Sequence, residues 1–242
     1  MDRYYKYGEK VNNEYTIVKE IGEGRYGIVY LAQNDDNSIV IIKQLKKDML
    51  RETRKQLFYE QKILQSLDYD SFPKFIGKFK DRYRQGYILE YFDGQDFEDL
   101  VELDRYIFTK EEIYHIAEQI LDLIEILHNN NIAHGDIRLP NVILKKNKEL
   151  ALIDFGLARF IDNKKYIRQM DYWYLGDFLI HLYYTMYEST NDEDLPWYEE
   201  LDLTEEEQIF LKKLMGIEKK YDNILEIRDQ LEKVKKIYNT SK

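Results

Sequence analysis

The stretch HGDIRLPN at residues 134–141, followed one short strand later by LIDFGLA at 152–158, constrains this chain more than any other segment. It sets Asp136, Asn141 and Asp154 at the spacing a phosphoryl-transfer site needs. Moving a γ-phosphoryl group calls for a carboxylate to orient the acceptor hydroxyl and for oxygen ligands that hold Mg²⁺ on the phosphates. Two carboxylates and one amide, converging on one nucleotide, meet that requirement.

The N-terminal half carries IGEGRYGIVYLA, in which Gly22, Gly24 and Gly27 fit GxGxxG and Val29 extends it to GxGxxGxV. Alone, such a pattern is weak, since a hairpin turn or a dinucleotide site uses the same spacing. The flanking sequence separates the two. VKEIGEGRYGIVYLAQ and SIVIIKQL alternate as strands around the glycines, whereas a dinucleotide fold places a helix directly after them. Glycine lets a hairpin backbone approach phosphates. Lys43 closes the second strand, and the three apolar residues before it predict a buried, paired ammonium. Its partner is sought in RETRKQLFYEQKILQSL, where Leu57, Ile63, Leu64 and Leu67 recur at helical spacing. Glu60 and Glu52 are both available, and Glu52 lies nearer the helix start, where the macrodipole alone favours a carboxylate.

Taken together, these segments resemble the protein kinase superfamily, whose catalytic loop reads HRDLxxxN and whose metal-binding segment reads DFG. The chain is identified as a small single-domain member of the bacterial type that resembles eukaryotic serine/threonine kinases. The resemblance implies an α+β, bilobal fold within one domain spanning 1–242. A small β-rich N-lobe with one C helix takes about 14–91, a hinge about 90–95, and a larger, mostly α-helical C-lobe about 96–235. It also implies roles. Lys43 pairs with Glu60, which matches the C-helix glutamate; Asp136 is the base; Arg138 stands where serine/threonine kinases place a lysine on the γ-phosphate, here as a planar fork. Asn141 and Asp154 hold Mg²⁺, with Phe155 and Gly156 setting the conformation of the latter. ATP lies against Ile21, Gly22, Gly24, Gly27, Val29, Ile41 and Ile143, with Leu89 as gatekeeper, the backbone of Glu90 and Phe92 on the adenine, and Asp96 on the ribose. Asp96 also suits the N-terminus of a helix beginning FEDLV. His134 is assigned to scaffold.

Ahead of that loop, EEIYHIAEQILDLIEILHNNNIAH has apolar residues at Ile113, Ile116, Ala117, Ile120, Leu121, Ile124 and Leu127, which predicts a long amphipathic helix ended by the asparagines at 129–131. Beyond it, DYWYLG at 171–176 resembles the family's F-helix motif DxWxLG, whose aspartate holds the catalytic-loop backbone.

Several departures from the family agree with one another. Gly135 replaces the arginine of HRD, which in regulated kinases gathers an activation-loop phosphate. Only sixteen residues, 155–170, separate Asp154 from Asp171. The segment LARFIDNKKYIRQM has no Ser or Thr, only Tyr166; there is no APE triplet, and no arginine follows LMGIEKKYDN until Arg228. The expectation is an enzyme that activation-loop phosphorylation does not switch. Ile41, where the family has a small alanine, narrows the roof of the adenine pocket.

A net charge of −10 argues against general nucleic-acid or anionic-membrane binding. No cysteine is present, so disulfides and thiolate metal sites are excluded. No run approaches a transmembrane span and the opening MDRYYKYGEK lacks an apolar signal core, so a cytoplasmic protein is expected. Arg159, Lys164, Lys165 and Arg168 make the shortened segment basic. The run EDLPWYEELDLTEEEQ at 193–208 is acidic with an exposed LPWY, and Glu199 and Glu200 within it would attract a basic protein substrate. Three functions stay open: a serine/threonine protein kinase, a kinase of small hydroxyl compounds such as aminoglycosides or choline, and an inactive nucleotide-binding module. The intact set Lys43, Asp136, Asn141 and Asp154 ranks the last lowest.

Overall fold

The structure, a computed structural model, describes residues 2–24, 27–48, 54–188 and 195–240. The chain divides into two compact units, with the boundary between Asp93 and Gly94. It has the α+β organisation expected, a curled sheet in the first unit and mainly helices in the second.

In the first unit, six strands form one antiparallel sheet: β1 (Lys10–Val11), β2 (Tyr15–Glu23), β3 (Gly27–Gln33), β4 (Ile39–Leu45), β5 (Phe75–Lys80) and β6 (Gln85–Glu90), in the spatial order β1-β2-β3-β4-β6-β5. The two-residue period of the sequence sorts side chains onto its faces. Ile28, Tyr30, Ala32, Val40 and Ile42 are buried on one face, in a cluster with Tyr5 and Phe79. The register puts Val29 opposite Lys43 and Lys43 opposite Tyr87, and Leu31 opposite Ile41 and Ile41 opposite Leu89, so these six share the other face. Lys43 does not close β4. Gln44 and Leu45 still pair with Ile28 and Gly27, because the hairpin partner β3 begins at Gly27. A Cβ on Gly27 would stand 2.7 Å from the Gln44 carbonyl oxygen, which is why glycine is required there.

Among the described residues, helix α1 (Arg54–Leu64) belongs to this unit. Ile63, Leu64 and Leu67 are buried as their spacing predicts. Glu52 and the side chain of Leu57 lie outside the described residues.

The second unit contains β7 (Gly94–Asp96), α2 (Phe97–Glu102), α3 (Lys110–Asn129), β8 (Ile132–Ala133), β9 (Val142–Lys145), β10 (Leu150–Leu152), β11 (Arg159–Phe160), α4 (Gln169–Tyr184), α5 (Trp197–Glu200), α6 (Glu205–Met215) and α7 (Ile224–Thr240). Helix α3 starts on a capping box, in which Thr109 accepts from the Glu112 N–H and the Glu112 carboxylate accepts from the Thr109 N–H. All seven apolar positions read from its sequence are buried. It ends where Asn130 caps it and Asn131 turns to φ 59°, a left-handed conformation that asparagine tolerates. Helix α4 is buried along most of its length, and a Cβ on Gly176 would stand 2.9 Å from Leu214 and Met215, so glycine permits the close approach of α6. None of the helices among the described residues is long and apolar enough to cross a membrane.

The acidic run is not simply a solvated face. Glu207 is fully buried and accepts from the Tyr114 hydroxyl at 2.6 Å, the Tyr183 hydroxyl at 3.0 Å and the Lys110 ammonium at 2.9 Å, tying α6 to α3 and α4. Glu200 accepts from the Tyr184 hydroxyl at 2.5 Å. Trp197 and Tyr198 are half-buried, edge to face, with the Lys212 ammonium 4.4 Å from the Tyr198 ring, so the LPWY expected to be exposed is in part a packing element.

Burial works to raise the Glu207 carboxyl, but the Tyr114 hydroxyl, the Thr204 N–H and the Lys110 ammonium together hold it below the ordinary glutamate range. A depressed carboxyl stabilises fully above its unfolded value, and that contribution fades as pH falls through the lower, folded value. Glu207→Ala is therefore expected to cost on the order of 3 kcal/mol near pH 7, by leaving Lys110 and two phenols unmatched, and less in acid. Urea unfolding midpoints at pH 7 and in acid check this; a loss that does not shrink in acid would contradict the account.

Candidate active site

Helix α4 anchors the loop 134–141. Asp171, in its first turn and fully buried, accepts from the backbone N–H of His134 at 3.1 Å and of Gly135 at 2.8 Å, and from His128 Nε2 at 2.9 Å. One carboxylate thus fixes the loop entrance to two helices. Gly135 has φ 70°, a conformation strained for any residue with a Cβ, which gives the glycine of HGD a backbone reason. His134 is fully buried and its Nε2 donates to the Ile153 carbonyl at 3.2 Å. Burial pushes its imidazole below the usual range against the pull of Asp171, Asp136 and Asp154, so it stays neutral and structural.

Asp136, Arg138 and Asn141 come together in this loop. Asp136 is buried; the Arg138 fork meets it at 2.6 Å and 3.3 Å, and Asn141 Nδ2 donates to both its carbonyl and its carboxylate at 2.9 Å. Because the amide nitrogen is committed, Oδ1 is the Asn141 atom suited to a cation. Asn141 also ties the loop to the next segment, since its carbonyl accepts from the Ile153 N–H at 2.9 Å. Asp154 follows at φ 56° and is exposed, its carboxylate accepting from the Gly156 N–H at 3.1 Å. Phe155 is fully buried, edge-on to His134 at 4.7 Å. Among the described residues no group of three His, Asp or Glu could cage a metal. A carboxylate and an amide oxygen instead suit Mg²⁺, which keeps a small protein ligand set and takes its other oxygens from phosphates and water.

Asp96 caps α2, accepting from the Asp99 N–H at 2.8 Å, and burial pushes its carboxyl up. Ile143 pairs with it across β7 and β9, so these two are neighbours. Arg159 is buried and donates to the carbonyls of Gly156 and Ala158. It therefore does not contribute to an exposed basic patch as its charge suggested, because it closes the turn after Phe155.

In the sheet unit, the Lys43 ammonium meets Glu60 at 2.5 Å, with both residues almost fully buried. Val29, Ile41 and Leu89 lie on the same sheet face as Lys43. Gly22 pairs with Val29, and Ile21 sits in a bulge of β2, half-exposed. Gly24 donates its N–H to the Gly27 carbonyl at 2.9 Å, closing the glycine hairpin. Glu90 ends β6 with its N–H donated to the Lys74 carbonyl at 3.0 Å, and Phe92 is half-buried in the segment that follows.

The protein kinase domain family matches residues 15–225, nearly the whole of this arrangement. The chain belongs to the protein kinase family. This kinase is 33% identical over 238 residues to the probable serine/threonine-protein kinase YbdM of Bacillus subtilis, covering 95% of this chain and 93% of that protein. It is 27% identical over 157 residues to a serine/threonine-protein kinase of Arabidopsis thaliana, and 30% identical over 154 residues to the 3-phosphoinositide-dependent protein kinase B of Dictyostelium discoideum. These alignments cover 60% and 62% of this kinase, but only 37% and 17% of the two longer proteins. Sequence reasoning overlooked His128, whose i,i+4 position from Ile124 reads as an ordinary core residue, and the buried centre at Glu207, which was hidden in a run of acids.

Proposed function

We propose that this kinase transfers the γ-phosphoryl group of ATP to serine or threonine hydroxyls of proteins, without control by phosphorylation of its activation segment. The observation that carries the reaction is the Asp136 carboxylate, held by Arg138 and Asn141 on a loop anchored by Asp171. Asp136 orients the acceptor hydroxyl and takes its proton. Asn141 and Asp154 hold Mg²⁺, which when bound neutralises charge on the phosphates. Lys43, oriented by Glu60, binds the phosphates, and the glycine hairpin, Val29, Ile41, Leu89 and Ile143 receive the nucleotide. Arg138, once the acceptor occupies Asp136, offers its fork to the transferred group.

The absence of a phosphorylation switch rests on the segment after Phe155. Gly135 provides no cation to receive a phosphate, and the Asp162 carboxylate already accepts the N–H groups of Lys164, Lys165 and Tyr166 at 2.9 Å each. These bonds hold its carboxyl below the usual range and give the loop an internal anion. The basic flank of a substrate remains the proposed attraction for Glu199, which is exposed, and Glu200, which is half-buried and accepts from the Tyr184 hydroxyl. A charge of −10 and a chain without cysteine suit a cytoplasmic location.

Labelled ATP with Mg²⁺, offered to basic proteins, the kinase itself and a panel of aminoglycosides and small alcohols, tests the reading. Label on protein serine or threonine, unchanged after phosphatase treatment of the enzyme, is expected. Label only on small compounds would overturn the acceptor, and activity abolished by phosphatase would overturn the regulation.

A further inference from the structure

The segment Asp2–Tyr7 precedes the first strand and lies outside the region matched by the family, yet it is bonded to the sheet unit through Asp2, Arg3, Tyr4 and Tyr5. Tyr5 is its anchor. Its ring is buried edge-on to Tyr30 at 5.6 Å and Phe79 at 5.9 Å, beneath the Arg84 guanidinium at 3.4 Å, and its N–H donates to the Tyr30 hydroxyl at 3.3 Å. Arg84 is held by Asp81 at 2.8 Å and Glu9 at 3.2 Å, and donates to the Tyr4 carbonyl at 3.3 Å. An aromatic buried in this way fixes the backbone on either side of it.

From that anchor three contacts reach the nucleotide-binding elements of the same unit. The Tyr4 hydroxyl donates to Glu23 at 2.8 Å, at the end of β2 where the glycine hairpin begins, and Glu23 also meets Lys46 at 2.5 Å. The Arg3 carbonyl accepts from Gln44 Nε2 at 3.1 Å, one residue beyond Lys43 in β4. The Asp2 carboxylate accepts from the Lys47 N–H at 2.9 Å, in the segment that leaves β4 toward α1 and Glu60. Glycine hairpins are intrinsically permissive, so the entropy of ordering one over a triphosphate is lower when its base is already held.

We propose that residues 2–7 are a positioning strap for the nucleotide site, holding the glycine hairpin through Tyr4 and Glu23 and the exit of β4 through Asp2 and Lys47. This rests on the assignment of that hairpin to ATP. The strap touches no reacting atom, so it acts on nucleotide affinity and leaves the chemical step alone.

The test compares wild type, Tyr4→Phe, and the double variant Asp2→Ala/Tyr4→Phe in direct Mg-ATP binding, steady-state kinetics and urea unfolding, with Tyr5 intact to preserve the fold. The KM and Kd for ATP should rise about threefold for one contact removed and about tenfold for both, at unchanged kcat and unchanged KM for the protein substrate. A double variant that binds ATP like wild type, or one that merely unfolds earlier with KM unaltered, overturns the strap. A wild type that binds no Mg-ATP overturns the nucleotide assignment and the strap with it.

Discussion

Asp136→Asn is expected to lower kcat by about 10²–10⁴-fold, the range a positioned general base contributes. The substitution keeps the size of the side chain and an oxygen for the Arg138 fork, which meets Asp136 at 2.6 Å. It removes the charge that orients the acceptor hydroxyl and the lone pair that takes its proton. The Asn141 amide also loses an anionic partner, although its second bond, to the Asp136 carbonyl at 2.9 Å, is retained. Nucleotide affinity should change little, since the proposed Mg²⁺ ligands and Lys43 remain. Single-turnover and steady-state rates with labelled ATP, alongside direct Mg-ATP binding, make the measurement. A fall of less than about tenfold in kcat would remove Asp136 from the role of base.

Asp171→Ala should be the most destabilising single change in the catalytic unit. The residue is fully buried and accepts from His134, Gly135 and His128. Truncation strands three buried donors, each costing about 1–3 kcal/mol, so a loss on the order of 4 kcal/mol follows even after partial relaxation. For a chain of this size that corresponds to a drop of roughly 8–16 °C in Tm. Activity should fall below what the unfolded fraction explains, because the loop carrying Asp136 is released at its entrance. Asp171→Asn, which keeps one acceptor oxygen, should recover part of the stability while leaving kcat depressed. Thermal unfolding and kcat of both variants decide the matter; an alanine variant as stable as wild type would show that the loop is held by other contacts.

The agreement between pattern and structure is uneven for reasons that individual residues expose. Helix α3 was legible because its information is local: apolar residues every three or four positions face one core. The pairing of Lys43 with Glu60 was also legible, because a buried ammonium demands a carboxylate and a family motif names the position. Arg159 was misjudged as part of a basic patch, since charge is a property of the residue and burial is not. The same limit explains Glu207 and Trp197, which sequence alone leaves among solvated neighbours. Lys43 as the end of its strand was wrong by two residues, because where β4 stops depends on where β3 begins.

Sequence by itself determined the α+β class, the membership of the kinase family and the chemical identity of the groups available for phosphoryl transfer, because short spacings and side-chain chemistry are written directly in the chain. Only tertiary structure decided that His128 joins Asp171 in anchoring the loop, that Arg138 forks onto Asp136, that Glu207 binds three helical side chains, and that Asp2–Tyr5 is tied to the sheet unit at the glycine hairpin and the exit of β4. The buried contacts of Asp171 and Glu207 depend on which groups lose water together. Except for the local Arg138 fork, the partners are drawn from distant stretches whose meeting no local pattern encodes.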